Sequence, residues 1–257
     1  MRALLLWLCL ALGQWGCSSS TGEPPAPAVD SGLGGGDSVA ADDDDSGGSG
    51  DDDSAEDEDR YGSLSGDCGV LDSLEIASGL SRLFRNLIDF GDSPFDEDLL
   101  GEGAQEVISD GNLGGNSLHS EAISFEVLER CESAVLLKTE AEIDYVDSAG
   151  KKTDLLVEVA GEKLGVSVTR AFHFPPGEPY TEAEATALLE DKLADVLLSS
   201  ANVAMSDAWS RAVLHVIAYD GSHGDTIEVA FDGLASTVIE DTLLVLTVTD
   251  GEDQYLY

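Results

Sequence analysis

Strand-like and helix-like segments alternate along the last part of this sequence, and that alternation limits the folds that the chain can adopt. Apolar, β-branched segments predict strands at 164–172, 213–219 and 243–249. Helical patterns separate them at 181–198, which opens with a capping box, and at 225–234. Strands joined by helices lie parallel in one sheet, because the crossovers are right-handed. The sequence therefore predicts an α/β domain.

The segments before residue 164 predict an antiparallel part of the same sheet. Strands are predicted at 123–128, 134–146 and 153–159. The last of these runs through a tight turn at 160–161 into the strand that follows. A helix is predicted at 71–90, and a long polar loop at 91–120. We therefore expect a mixed sheet of about six strands with an antiparallel meander, flanked by helices.

The first residues resemble an export signal. Arg2 is followed by an apolar run at 3–12, which is shorter than the roughly 20 residues that a membrane-spanning helix needs. Gly16 and Cys17 resemble the end of a bacterial lipoprotein signal, although Gln14 and Trp15 replace the usual leucine and small residue. The resemblance implies removal of the signal peptide 1–16 and lipidation of Cys17. The alternative is ordinary cleavage that leaves this cysteine unmodified.

Residues 17–60 separate this signal from the rest of the chain. They consist mainly of Ser, Gly, Pro, Ala and Asp, and cannot bury enough apolar surface to offset the entropy of ordering. The aspartate runs 42–45 and 51–53 lack the spacing of a defined calcium-binding loop, which leaves calcium binding there as the alternative to a solvated tether. We expect a disordered acidic tether at 17–60 and one folded domain at 61–257. The protein would then be exported and held by Cys17 at the cell envelope or outer surface.

The folded part carries most of the negative charge. The chain contains 52 acidic and 12 basic residues, and residues 61–257 hold 38 and 10 of them, a formal net charge of −28. Such a surface repels phosphate backbones, so general nucleic-acid binding is disfavoured. One interpretation is solubility or adaptation to a salty medium. The other is that clustered carboxylates bind divalent cations, Mg²⁺ or Ca²⁺.

Two cysteines remain in the predicted domain. Cys9 lies in the predicted signal peptide and Cys17 is the predicted lipidation site, which leaves Cys68 and Cys131. Outside the cytoplasm these two can form a disulfide. Two separate buried thiols are the alternative.

The stretch 153–172 carries a resemblance to a known family. Asp154 opens one strand, a hairpin follows, and polar and apolar residues alternate along the next strand, including Ser167 and Thr169. Together with a helix before and a helix and strand after, this arrangement resembles the PD-(D/E)XK nuclease-like fold over about residues 71–220. The resemblance implies a Mg²⁺ ion held by an acid on each strand, with a lysine two residues after the second acid. Asp154 matches the first acid, whereas Ser167 and Thr169 stand where the second acid and the lysine would be.

A rearranged site can still be assembled around Asp154. Lys192 on the following helix would replace the missing lysine, and Glu158 lies four residues beyond Asp154 on the same predicted strand face. The candidate catalytic residues are therefore Asp154, Glu158 and Lys192, and the candidate metal ligands are Asp154, Glu158 and Glu75.

Two functions follow from these observations. The first is a catalytically degenerate nuclease-like domain that acts as a binding or structural module for a protein or small molecule, with no firmly implied cofactor. The alternative is a Mg²⁺-dependent phosphodiester hydrolase with the rearranged site.

Two further polar residues lie within predicted strands. His215 is flanked by apolar residues, which predicts a core histidine with its hydrogen bonds satisfied. Arg170 shares its strand face with valines, so it either pairs with a buried acid, caps the end of the sheet or binds an anion.

Overall fold

The structure is a computed structural model and describes residues 60–175 and 178–257. The predicted signal peptide, the lipidation site Cys17 and all of the tether but Arg60 lie outside the described residues. In the described part no helix is both long and apolar enough to cross a membrane.

One sheet organises the described residues. Its seven strands are β1 (Ser63–Gly66), β2 (Leu83–Asp89), β3 (Val135–Thr139), β4 (Leu155–Val159), β5 (Glu162–Ala171), β6 (Arg211–Ala218) and β7 (Leu243–Asp250). The α-helices are α1 (Ser73–Ala77), α2 (Glu102–Asp110), α3 (Leu118–Glu132), α4 (Glu182–Asn202), α5 (Gly221–Gly233) and α6 (Ser236–Ile239). Single turns of 3₁₀ helix cover Glu97–Leu99 and Gln254–Leu256.

The strand order is β1-β2-β7-β6-β5-β4-β3. Strands β2, β7, β6 and β5 are parallel, whereas β1 and the meander β3-β4-β5 pair antiparallel. The predicted α/β class and mixed sheet are therefore confirmed, with seven strands in place of about six. The tight turn between β4 and β5 is also confirmed, and Ala160 and Gly161 both have positive φ angles there, 51° and 82°.

A hydrophobic core lies on each face of the sheet. Helices α2 and α3 pack on one face, and α4 and α5 pack on the other. The predicted capping box at the start of α4 is confirmed, since Thr181 and Glu184 bind each other's backbone N–H groups.

The predicted helix at 71–90 is wrong. Only the short α1 forms there, and β2 follows it. In β2, Phe84 and Ile88 enter the core beneath α3, while Leu83 and Leu87 enter the core beneath α4 and α5. A strand covered on both faces is apolar on both, and its apolar residues then imitate helical spacing.

The predicted strand at 123–128 and the long loop at 91–120 are also wrong. Residues 123–128 belong to α3, and the supposed loop contains all of α2 and the start of α3. Because α3 lies between the sheet and α2, every residue from Ser120 to Leu128 is buried, so this part of the helix has no exposed face. The predicted strand at 134–146 ends early, at Thr139, in a series of turns.

The centre of the sheet contains a buried polar chain. His215 on β6 contacts Ser124 on α3 through Nδ1 and Thr247 on β7 through Nε2, both at 2.7 Å. Thr247 donates in turn to Asn86 on β2, at 2.6 Å. Burial lowers the pKa of His215 to about 3, so the ring is neutral. The prediction of a satisfied core histidine is confirmed.

Candidate functional site

Asp154 lies immediately before the first residue of β4 and lines a cleft. Its Oδ2 accepts a hydrogen bond from the backbone N–H of Val168, at 2.6 Å, which fixes the carboxylate beside the carboxyl half of β5. The cleft has a volume of about 280 Å³ and lies between the start of α3, β5 and the middle of α4. It is lined by Ser117, Ser120, Lys152, Asp154, Ser167, Val168, Thr169, Arg170, Lys192 and Asp195. We call it the acidic cleft.

Three carboxylates from three different elements meet beside this cleft. Glu121 extends from the first turn of α3, Glu140 follows β3, and Asp154 precedes β4. One oxygen from each lies within 4.8 Å of the others. Glu121 is 2% exposed, so this is not a group of solvated surface acids.

The negative charge of this group is poorly compensated. Burial, followed by repulsion from Glu121, raises the pKa of Asp154 to about 8, while the bond from Val168 and the nearby Lys192 oppose the shift. Burial also raises the pKa of Glu121, against hydrogen bonds from Ser117 and Asn112. Both shifts mean that the folded chain disfavours ionised carboxylates here unless a cation is added.

An unpartnered hydroxyl also lines the acidic cleft. Ser120, the third residue of α3, is 1% exposed, and within the described chain its Oγ makes no hydrogen bond. Buried polar atoms almost always have a partner, in the protein or in a bound ligand or water. The Ser120 Oγ is therefore free to bind a water molecule or a ligand that enters the cleft.

Three basic side chains line the same cleft, and none of them forms a salt bridge within the described residues. Within residues 60–175 and 178–257, Lys152, Arg170 and Lys192 form no salt bridge. Other lysines of the domain do, for example Lys151 with Asp195 at 2.7 Å and Lys138 with Asp207 at 2.8 Å. Three cations without a salt bridge therefore lie next to a cluster of three acids, in a domain of charge −28.

Two of the candidate residues enter this cleft. Asp154 and Lys192 line it, together with Ser167 and Thr169 from the positions of the missing acid and lysine. The Ser167 hydroxyl is hydrogen bonded to that of Thr153, at 2.9 Å.

The other two candidates lie elsewhere. Glu158 is exposed near the hairpin end of β4, about 13 Å along the strand from Asp154 at 3.3 Å per residue. Glu75 lies on α1 and contacts Arg82 at 3.3 Å, while its backbone carbonyl accepts from Arg211 at the amino end of β6. Neither Glu158 nor Glu75 can therefore join Asp154 in one metal site.

Sequence reasoning missed the two acids that do join Asp154. The sequence does not point to Glu121, because its pattern predicts a strand at 123–128 and a loop at 91–120 where α3 begins. It does not point to Glu140, because its pattern predicts one long strand at 134–146 across the turn that carries this residue. A helix beginning near Ser117 would have placed Glu121 on the face toward the meander.

Comparison with known proteins adds little to this geometry. No protein-family description matches the chain, and no solved structure matches it. A protein of Dictyostelium discoideum described as "AAC-rich mRNA clone AAC4 protein" is 39% identical over 124 residues, which make up 46% of this chain and 18% of that protein. The match thus spans less than a fifth of that relative's length, and its description names no activity.

Proposed function

We propose that this chain is an exported, lipid-anchored protein whose α/β domain is a divalent-cation-dependent phosphodiester hydrolase with a rearranged nuclease-like site. The convergence of Glu121, Glu140 and Asp154 beside Lys192 is the observation that carries this proposal. Export and anchoring at Cys17 rest on the sequence signal alone.

The order of the elements supports the nuclease-like part of the proposal. Helix α3 is followed by the meander β3-β4-β5, then by α4 and the parallel strand β6. This is the helix, meander, helix and strand that the family resemblance requires. The helix that opens it is α3, and not the segment 71–90 that the sequence suggested.

The donor set fits a hard divalent cation. Mg²⁺ prefers carboxylate oxygens and is usually held by a few of them together with water. Glu121, Glu140 and Asp154 would hold it, and their uncompensated charge would be neutralised by it. When bound, such a cation polarises a phosphate ester and lowers the pKa of a water molecule.

The chain's own basic groups would bind the substrate. In the cleft, the side chains of Lys152, Arg170 and Lys192 can donate hydrogen bonds to a phosphate and neutralise its negative charge. Lys192 on α4 lies close enough to Asp154 to affect its pKa. It can therefore supply the positive charge of the family's lysine, whose position on β5 is occupied by Thr169. The small cleft and the acidic surface favour a small or exposed phosphodiester over long duplexes.

A binding module without catalysis is the second candidate. The hydroxyls of Ser167 and Thr153 satisfy each other at the position where the second acid would stand, and a hydroxyl is a poorer Mg²⁺ ligand than a carboxylate. The domain would then bind a cation and an anion but leave them unreacted.

One experiment separates the two candidates. Full-length protein is titrated with Mn²⁺ by calorimetry and assayed with bis(4-nitrophenyl) phosphate and Mg²⁺ or Mn²⁺. We expect Asp154→Asn and Glu121→Gln to weaken both binding and turnover. Lys192→Met should keep cation binding and reduce turnover about 100-fold or more, as for loss of a positioned catalytic group.

Glu158→Gln is the matched control. It removes an acid of the same sheet region that lies outside the cleft, so binding and turnover should be unchanged. Cation binding that needs Asp154, without turnover, would favour the binding module. If the protein shows no cation binding and no turnover, both candidates are refuted.

A further inference from the structure

A second cleft adjoins the acidic cleft at the carboxyl ends of β5 and β7. It has a volume of about 530 Å³. It is lined by Asn116, Leu118, His119, Arg170, Phe172, Tyr255 and Tyr257. Four of these seven residues carry rings, so we call it the aromatic cleft. Arg170 lines both clefts, which makes its guanidinium the boundary between them.

The rings of this cleft are held in place by contacts behind them. The hydroxyl of Tyr257 lies 2.9 Å from Thr249 Oγ1, and its ring centroid is 5.0 Å from that of Phe172. Tyr255 stacks on Phe95 at 4.4 Å and meets His119 edge to face at 5.7 Å. All four lining rings are half-buried and therefore keep part of their surface open. Preformed aromatic walls bind flat rings at a low entropic cost.

Arg170 places a positive charge at the edge of these rings. One of its nitrogens donates to the backbone carbonyl of Leu256, between the two tyrosines. Within the described residues the guanidinium forms no salt bridge, although acids outnumber bases 38 to 10 in residues 61–257. The alternative of a buried acid partner for Arg170 therefore does not hold. Its remaining N–H groups are available to an anion from outside the chain.

We infer that the aromatic cleft binds a flat aromatic ring that carries an anionic group. The ring would lie among Phe172, Tyr255, Tyr257 and His119, and the anion would pair with Arg170. The volume falls within the range of pockets for small organic ligands. This binding needs no metal and no hydrolysis, so it does not depend on the function proposed above.

The anionic group can be a phosphate or a carboxylate, and the test separates these sources. Full-length protein in EDTA is titrated by calorimetry with adenosine monophosphate and with indole-3-acetate. Adenosine and ribose 5-phosphate are the partial probes, one without the charge and one without the ring. We expect at least one of the complete probes to bind about tenfold or more tightly than either partial probe, because ring and charge contacts act together.

Variants assign the binding to this cleft. Arg170→Met and Phe172→Leu should each weaken it about tenfold, the scale of one charge-assisted hydrogen bond or one aromatic contact. Tyr257→Phe keeps the ring and should retain binding. Lys163→Met is the matched control, because Lys163 also lacks a salt bridge but lies outside both clefts. Thermal melting checks that each variant is folded.

The outcomes distinguish this inference from the hydrolase. Binding in EDTA that survives Asp154→Asn supports the aromatic cleft even if no hydrolysis is found. Preference for the phosphate or for the carboxylate probe identifies the source. Absence of binding by both complete probes, or binding that Arg170→Met leaves intact, would overturn the inference.

Discussion

At the scale of single residues, the position of Asp154 in the fold gives its carboxyl group a raised pKa. It sits one residue before β4, its carboxylate is tied to the N–H of Val168, and Glu121, Glu140 and Lys192 face it. The family resemblance points to Asp154 and Lys192 from the sequence, since the β4-β5 hairpin and α4 that carry it have clear local patterns. Burial, and then the charges of Glu121 and Glu140, raise the pKa of Asp154, and all of these arise only in the folded chain.

This environment predicts how stability depends on pH without metal. The pKa of Asp154 is raised from 3.8 to about 8, so its protonated form is favoured in the folded chain. The contribution of this group to stability is complete below about pH 4 and is lost as pH rises through about 8. The free energy of unfolding in EDTA should fall between pH 5 and pH 9 by on the order of 4 kcal/mol from Asp154. The raised pKa of Glu121 acts in the same direction.

Urea denaturation at a series of pH values measures this effect. Asp154→Asn should flatten the profile, whereas Glu158→Gln should leave it unchanged because Glu158 is exposed. Mg²⁺ should restore stability at pH 8 in the native protein but not in the Asp154 variant. Parallel profiles for the native protein and Asp154→Asn would show that the acid is not desolvated.

At the scale of elements, the local patterns that succeeded belong to segments with one dominant environment. Helix α4 has a capping box and a polar face, and the β4-β5 hairpin has Gly161 in its turn, a residue that adopts positive φ readily. Strand β2 and helix α3 were mispredicted because partners cover them on opposite sides. Polar residues such as Asn86, Glu121 and Ser124 are buried there among the apolar ones, so no exposed polar face distinguishes period 2 from period 3.6. Glu121 was lost with α3, so the error in one element removed a third of the candidate cation site.

Strand β5 depends on a close contact that its sequence does not reveal. Gly165 lies beneath the indole of Trp209, and a Cβ there would be 2.5 Å from Trp209 Cδ2. Gly165→Ala should therefore destabilise the fold by about 1–3 kcal/mol, the usual penalty of overpacking. Gly233→Ala is the control, since a Cβ there meets no atom within 4 Å and should be neutral or slightly stabilising. Equal urea midpoints for the two variants would contradict this contact.

At the scale of the whole molecule, the sheet joins segments from the two ends of the described chain. Strand β2 pairs with β7 in parallel register from Leu83–Leu244 to Asp89–Asp250. No local pattern specifies such a partner, because the pairing depends on a shared core rather than on a turn. Among the described residues, the edge strand β1 pairs only with β2 in the sheet, and the bonded sulfurs of Cys68 and Cys131 attach the segment that follows it to another part of the fold.

This disulfide closes a loop with a sequence separation of 63 residues and attaches the segment after β1 to the last turn of α3. In the chain-entropy account a loop of this length contributes about 4 kcal/mol. Reduction, or the double variant Cys68→Ser/Cys131→Ser, should lower the free energy of unfolding by about that amount, and the two treatments should agree. Cation binding should persist below the lowered melting temperature, because Asp154 and Lys192 lie outside the segments that the disulfide joins, and Glu121 lies in the first turn of α3, at the opposite end of that helix from Cys131. Non-reducing peptide mapping provides the direct measurement, and recovery of both cysteines as free thiols in the native protein would contradict this role.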